Sequence, residues 1–203
     1  MKKIFVNKCI NFIKGYNPNL NETKIAEVKY GLEGLYMFIS KLIIILLISI
    51  VLHNTKEVLA FLLFYSLIRL PSFGLHATKS WICLLFSSVI FIGVPLICNS
   101  INMSVPLKLF LGLLAIMLIF KNSPADTKKK PIVSQKRREV YKFISTIVAI
   151  IFVFVSITIN NNFISNLLIF VLIVQNIMIS PLFYKLFNIP YDNYKTYLLN
   201  LNT

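Results

Sequence analysis

The sequence is poor in acid. It holds 7 Asp and Glu residues against 21 Lys and Arg, a formal charge of +14. Charged residues of both signs make up only 14% of it, where soluble domains carry about a quarter. A chain that is 57% hydrophobic, with a mean hydropathy of +0.78, has too little charge to cover a water-facing surface. Histidine is down to His53 and His76, and cysteine to Cys9, Cys83 and Cys98. So few cysteines give no disulfide framework, and neither a metal site nor a cofactor is expected. There is no soluble domain to carry the basic charge to a nucleic acid, so nucleic acid is not an expected partner. No internal repeat suggests the paired halves of a transporter. The amino terminus has lysines at 2, 3, 8 and 14, but no uninterrupted apolar core or small-residue cleavage site follows, so it does not read as a signal peptide.

The apolar residues come in blocks with almost no charge inside them, which is the pattern of membrane helices. The expected fold is an all-α integral membrane protein in a single membrane-embedded unit. It has about six spans, preceded by an amphipathic region over 1–33 that reads as two short helices on the membrane surface. The spans are read at 35–52, 58–70, 80–98, 105–120, 140–159 and 163–184, with a polar tail over 185–203. The second of these is short enough to be tilted or re-entrant.

Charge then sets the orientation. Lys and Arg gather in 1–30, 69–80, 121–142 and 185–203, while the intervening turns at 53–57, 99–104 and 160–162 hold only Lys56. Alternate loops carry the charge, so both termini and the 69–80 stretch are expected on the cytoplasmic side of a cell membrane. The basic loops are also expected to meet anionic lipid headgroups. Spans this few and short leave gaps around a polar site, which favours a homodimer.

Between the second and third spans lies RLPSFGLHATKSWIC, residues 69–83. It brings His76 and, seven residues later, Cys83 to the membrane surface. A thiol and an imidazole are the parts of a cysteine nucleophile and its base. On an unbroken helix that spacing is about 10.5 Å along the axis, too far for a hydrogen bond. Catalysis therefore requires the helix to begin after His76. Ser80 is a good first cap and puts Cys83 in the first turn, where the positive end of the helix favours a thiolate. Gly74 supplies the turn that brings His76 back. Against this stands the commonest role of a lone cysteine in a span, a small apolar filler. A second interruption, 121–142, is basic and holds PADTKKKPI at 124–132. It reads as a topology signal and lipid contact, or as a binder of acidic peptide.

Together these two motifs resemble those of the accessory gene regulator B (AgrB) family, the membrane cysteine endopeptidases of Gram-positive quorum sensing. The likeness rests on Arg69, Gly74, His76 and Cys83, and on the loop with Lys128, Lys129 and Lys130. It implies a precursor signal peptide, like those the family processes, with an acidic carboxy-terminal tail that the enzyme removes. Cys83 is implied as nucleophile and His76 as general base. Arg69, Gly74 and the three lysines are implied at the substrate, and Ser80 is a polar neighbour for the dyad. An acyl-enzyme thioester on Cys83 would be displaced by a Cys or Ser of the peptide, closing a thiolactone or lactone ring. The contrasting class is a non-catalytic small transporter or peptide exporter, which should place polar groups at mid-bilayer.

Overall fold

The protein is described here by a computed structural model covering residues 2–17, 21–75, 80–127 and 131–195, without the side chains of 80–83. Among the described residues it is 83% helical and has no strand. Its backbone forms two compact units, Met1–Val51 and Leu52–Thr203.

The first unit is a helical pair, α1 (Lys2–Tyr16) and α2 (Glu22–Val51). Lys2 Nζ bonds Glu33 Oε2 at 3.0 Å, and the rings of Phe5 and Tyr36 lie 5.5 Å apart. The surface helix expected around 23–30 is not separate. It runs without a break into the first span, giving one helix of 30 residues. Nothing in the sequence stops it there: Gly31 and Gly34 meet no neighbour and no proline interrupts. At 1.5 Å per residue it is about 45 Å long, longer than the hydrocarbon core of about 30 Å.

The second unit is a bundle of α3 (Thr55–Ser72), α4 (Ser80–Ser100), α5 (Val105–Asn122), α6 (Gln135–Thr158), α7 (Asn162–Ile179) and the short α8 (Pro181–Leu186). Helices α2, α5, α6 and α7 are long and apolar enough to cross a membrane, and Leu84–Ser100 is a shorter apolar helix. The segment expected as a marginal 58–70 span gains a polar turn at each end and reaches 18 residues. Pro71 sits inside the last turn rather than ending the helix before it. The basic residues 136–138 are also helical, as the first turn of α6. The last span is cut short at Ile179, because Pro181 lacks the N–H a continuing helix needs.

Helix α7 is the centre, in contact with α3, α4, α5 and α6. The sequence explains why. Leu167, Leu168, Ile169, Val171 and Leu172 are apolar on successive sides and all are buried, as expected of a helix with no face left for lipid. Asn161 caps its start, its side chain accepting from Ile164 N at 3.0 Å. Polar side chains inside the bundle are spent on the bundle itself. Asn166 donates to the carbonyls of Cys98 and Ile101, and Asn176 to those of Ala115 and Leu172. The buried Lys108 donates to Ser165 Oγ at 2.7 Å, which itself donates to the Ser156 carbonyl.

Helices α5 and α6 approach closely at Gly112. A Cβ there would come within 2.7 Å of Val153 Cγ2 and 2.9 Å of Cγ1. Small residues let membrane helices pack at such distances. Gly112→Leu is therefore expected to lower stability by about 1–3 kcal/mol, the usual cost of overpacking. Thermal unfolding in detergent checks this, and Val153→Ala in the same chain should recover part of the loss.

Candidate functional site

The site is built where α3 ends. Phe73 and Gly74 both take positive φ, 56° and 123°, so the chain leaves the helix in a tight reversal. Gly74 is required there. Its φ suits glycine, and a Cβ would meet Arg69 Nη1 at 2.2 Å and the Met178 carbonyl oxygen at 2.7 Å.

Arg69, one turn back on α3, wraps this reversal. Its Nη1 donates to the Phe73 carbonyl at 2.6 Å, and its Nη2 to those of Gly74 and Leu75 at 3.2 and 2.8 Å. A planar guanidinium with donors in a fixed fork suits a curved row of carbonyls. Helix α7 holds the same turn from another side. The fully buried Gln175 donates from Nε2 to Ser72 Oγ at 2.6 Å and to the Phe73 carbonyl at 2.8 Å. The Leu75 N–H donates to the Met178 carbonyl at 2.9 Å.

The loop after α5 supplies the third support. Ala125 pairs with Phe73 as an isolated parallel bridge. Gly74 N donates to the Ala125 carbonyl at 2.9 Å, and Ala125 N to the Ser72 carbonyl at 3.1 Å. The two sequence motifs are thus joined, backbone to backbone, at Gly74 and Ala125.

Asp126 follows directly. It is buried, and its carboxylate accepts from Asn193 N at 3.1 Å, Tyr194 N at 3.0 Å and Ile132 N at 3.3 Å. Arg138 Nη1 lies 3.6 Å from it. The Tyr184 hydroxyl donates to the carbonyls of Ala125 and Asp126. Burial pushes the Tyr184 phenol above its usual range, with the Arg69 charge acting the other way. Burial, with the nearby Asp192 charge adding to it, also pushes the Tyr191 phenol up to about 12. Both hydroxyls stay protonated near neutrality, as their donor roles require.

Of the residues expected at the site, Arg69 and Gly74 are therefore brought together. The backbone is non-helical at Gly74 and Leu75 and helical from Ser80, with Cys83 in the first turn of α4 as bounded. His76, Lys128, Lys129 and Lys130, and the side chains of Ser80 and Cys83, lie outside the described residues. Sequence reasoning missed Gln175, Tyr184, Asn193 and Arg138. Gln175 stood out as a polar residue within an apolar run, which was a usable signal. The others lay in polar or basic stretches where nothing marked them. Among the described residues, no cluster of three or more His, Cys, Asp or Glu side chains could share a metal ion.

An apolar bundle gripping a polar reversal at the end of a helix defines an all-α membrane protein with a built loop site. Residues 6–179 match the family model of Accessory gene regulator B, and the chain belongs to that family. It is 32% identical to a protein of Listeria welshimeri named AgrB-like, over 87% of each chain. A Lactiplantibacillus plantarum protein of the same name is 31% identical, over 78% of this chain and 82% of its own. The accessory gene regulator protein B of Staphylococcus aureus is 34% identical, over 68% of this chain and 75% of its own. No solved structure matches the chain.

Proposed function

We propose that this protein is a membrane cysteine endopeptidase of quorum sensing. It removes the acidic tail of a precursor signal peptide and closes the remaining piece into a ring. Cys83 is the nucleophile and His76 its base. The Cys83 sulfur attacks the scissile carbonyl, and its proton passes to His76. The C–N bond then breaks, and the tail leaves as an amine carrying that proton. A thioester to Cys83 remains. A Cys or Ser side chain of the peptide attacks it, forming a thiolactone or lactone and returning the thiol to Cys83.

The observation that carries this reading is the joining of the two family motifs at Gly74 and Ala125. The residue just before His76 is anchored by Arg69, through its carbonyl, and by Met178, through its N–H. A catalytic base needs such a fixed approach, since small displacements are costly to rate. The lysines at 128–130 follow the same loop in the chain, and their charge would draw an acidic tail toward it. Arg69 and Gly74 serve the substrate through the turn they shape. Ser80 opens α4 and is the polar neighbour of the dyad. A site within a bilayer keeps water scarce, so ring closure competes well with hydrolysis. The charge pattern supports both termini and the site on the cytoplasmic face of the cell membrane, with anionic lipids at the basic loops. The few, short spans around a polar site favour a homodimer as the assembled form.

The test is to incubate the chain in vesicles with a precursor peptide and analyse the products by mass. A ring, lighter by one water than the linear cut peptide, and a peptide adduct on Cys83 are expected. A linear acid as sole product refutes the ring-closing step.

A further inference from the structure

The family match ends at residue 179, yet the buried carboxylate beside the site is held from beyond it. We infer that the segment Pro190–Lys195 is a strap that holds the processing site in register, with Asp126 and Asn193 as positioning residues for cleavage. This inference rests on the function proposed above.

Three observations carry it. First, the strap is anchored on several sides. Tyr191 donates its hydroxyl to the carbonyl of Asn122, at the end of α5, at 3.2 Å. Asn193 Nδ2 donates to the carbonyls of Pro190 at 2.8 Å and Asp126 at 3.4 Å. The Arg138 guanidinium from the start of α6 lies 3.6 Å over the Tyr194 ring. Asn193 is only 6% exposed.

Second, the strap answers an electrostatic demand. Asp126 is 2% exposed, and a buried carboxylate is costly unless it is hydrogen-bonded and paired. Two of its three backbone donors, the N–H groups of Asn193 and Tyr194, come from the strap. Without them Asp126 keeps Ile132 N and Arg138, and the cheapest remedy is for the loop to turn the carboxylate out to water.

Third, that loop cannot turn without disturbing the site. Ala125, next to Asp126, carries both backbone bonds to the Ser72–Gly74 reversal, and this reversal feeds directly into His76. Thr127 and the lysine run follow on the other side.

The experiment compares the full chain with one ending at Ile189. Both are placed in membrane vesicles with precursor peptide, and rates are taken per molecule of chain. Loss of the strap is expected to cut kcat at least tenfold, as for catalytic groups displaced by about an ångström. It is also expected to slow alkylation of Cys83 by iodoacetamide at least threefold, read with Cys9→Ala and Cys98→Ala in the background. A merely structural role would reduce the amount of folded chain but leave the alkylation rate per molecule unchanged. Smaller changes in either quantity overturn the inference. Should the shortened chain fail to accumulate, full-length Asn193→Ala and Asp126→Asn decide by the same two readouts, with a fivefold fall in kcat and the threefold slowing required. Cys83→Ala runs in parallel. If it still cuts, the proposed function is wrong; if it is inactive while the strap variants are fully active, only the strap inference fails.

Discussion

Cys83→Ala is expected to stop processing altogether. If the tail is removed through a thioester to Cys83, this variant lacks the sulfur that takes the acyl carbon, and the loss should be about 10⁴-fold or more. His76→Ala should fall nearly as far, because nucleophile and base act as one unit and their losses do not add. Cys9→Ala and Cys98→Ala should cut normally, which separates a specific nucleophile from a general need for thiols. Cys98 is buried against the bundle core, so its replacement tests packing and not chemistry. The readout is a gel and mass assay of precursor co-expressed with each variant. A shortened product from Cys83→Ala would rule out the proposed mechanism, and Cys83 would then be an apolar filler in α4.

The second large effect is expected at Gly74. Gly74→Val places a branched side chain at φ 123°, a conformation costing about 1–3 kcal/mol for an ordinary residue. Its Cβ also collides with the Arg69 guanidinium and with the backbone oxygen of Met178. The arginine can swing away, but the α7 backbone cannot. Relief must come from breaking the bonds of Gly74 and Leu75 to Ala125 and Met178. Processing should drop by about 100-fold, the effect of a displacement of about 1 Å at reacting groups, while the helical content measured by circular dichroism stays near normal. Arg69→Lys should fall on the same path but less far. A lysine keeps the charge but cannot serve three carbonyls with a planar fork. If Gly74→Val processes at the normal rate, the reversal is not what places His76.

Much of this was legible in the sequence, and the reasons differ by element. The apolar blocks announced membrane helices because lipid leaves a backbone few alternatives. Their ends were less legible. The polar turns of α3 and the basic first turn of α6 are helical although their composition reads as loop, because helix termini project past the apolar layer, where charge costs little. The second helix of the leader was misread as separate from the first span for the same reason, while the first is a helix of its own. The reversal at Gly74 was legible from one glycine before a histidine and the impossible helical spacing to Cys83. Gln175 could only hint at a role, since a polar residue in an apolar run does not name its partner.

The sequence by itself determined the membrane setting, the helical class and the two motifs. Those follow from composition and local spacing, which act along the chain. Only the tertiary structure decided that Gly74 and Ala125 pair, that Arg69 spends its donors on backbone carbonyls, and that Asp126 is held by a strap from the carboxy-terminal side. The first and the last join residues far apart in sequence, and all three end on backbone N–H or C=O groups. Every residue but proline carries both, so such bonds leave no mark on residue type, and only the folded path of the chain selects them.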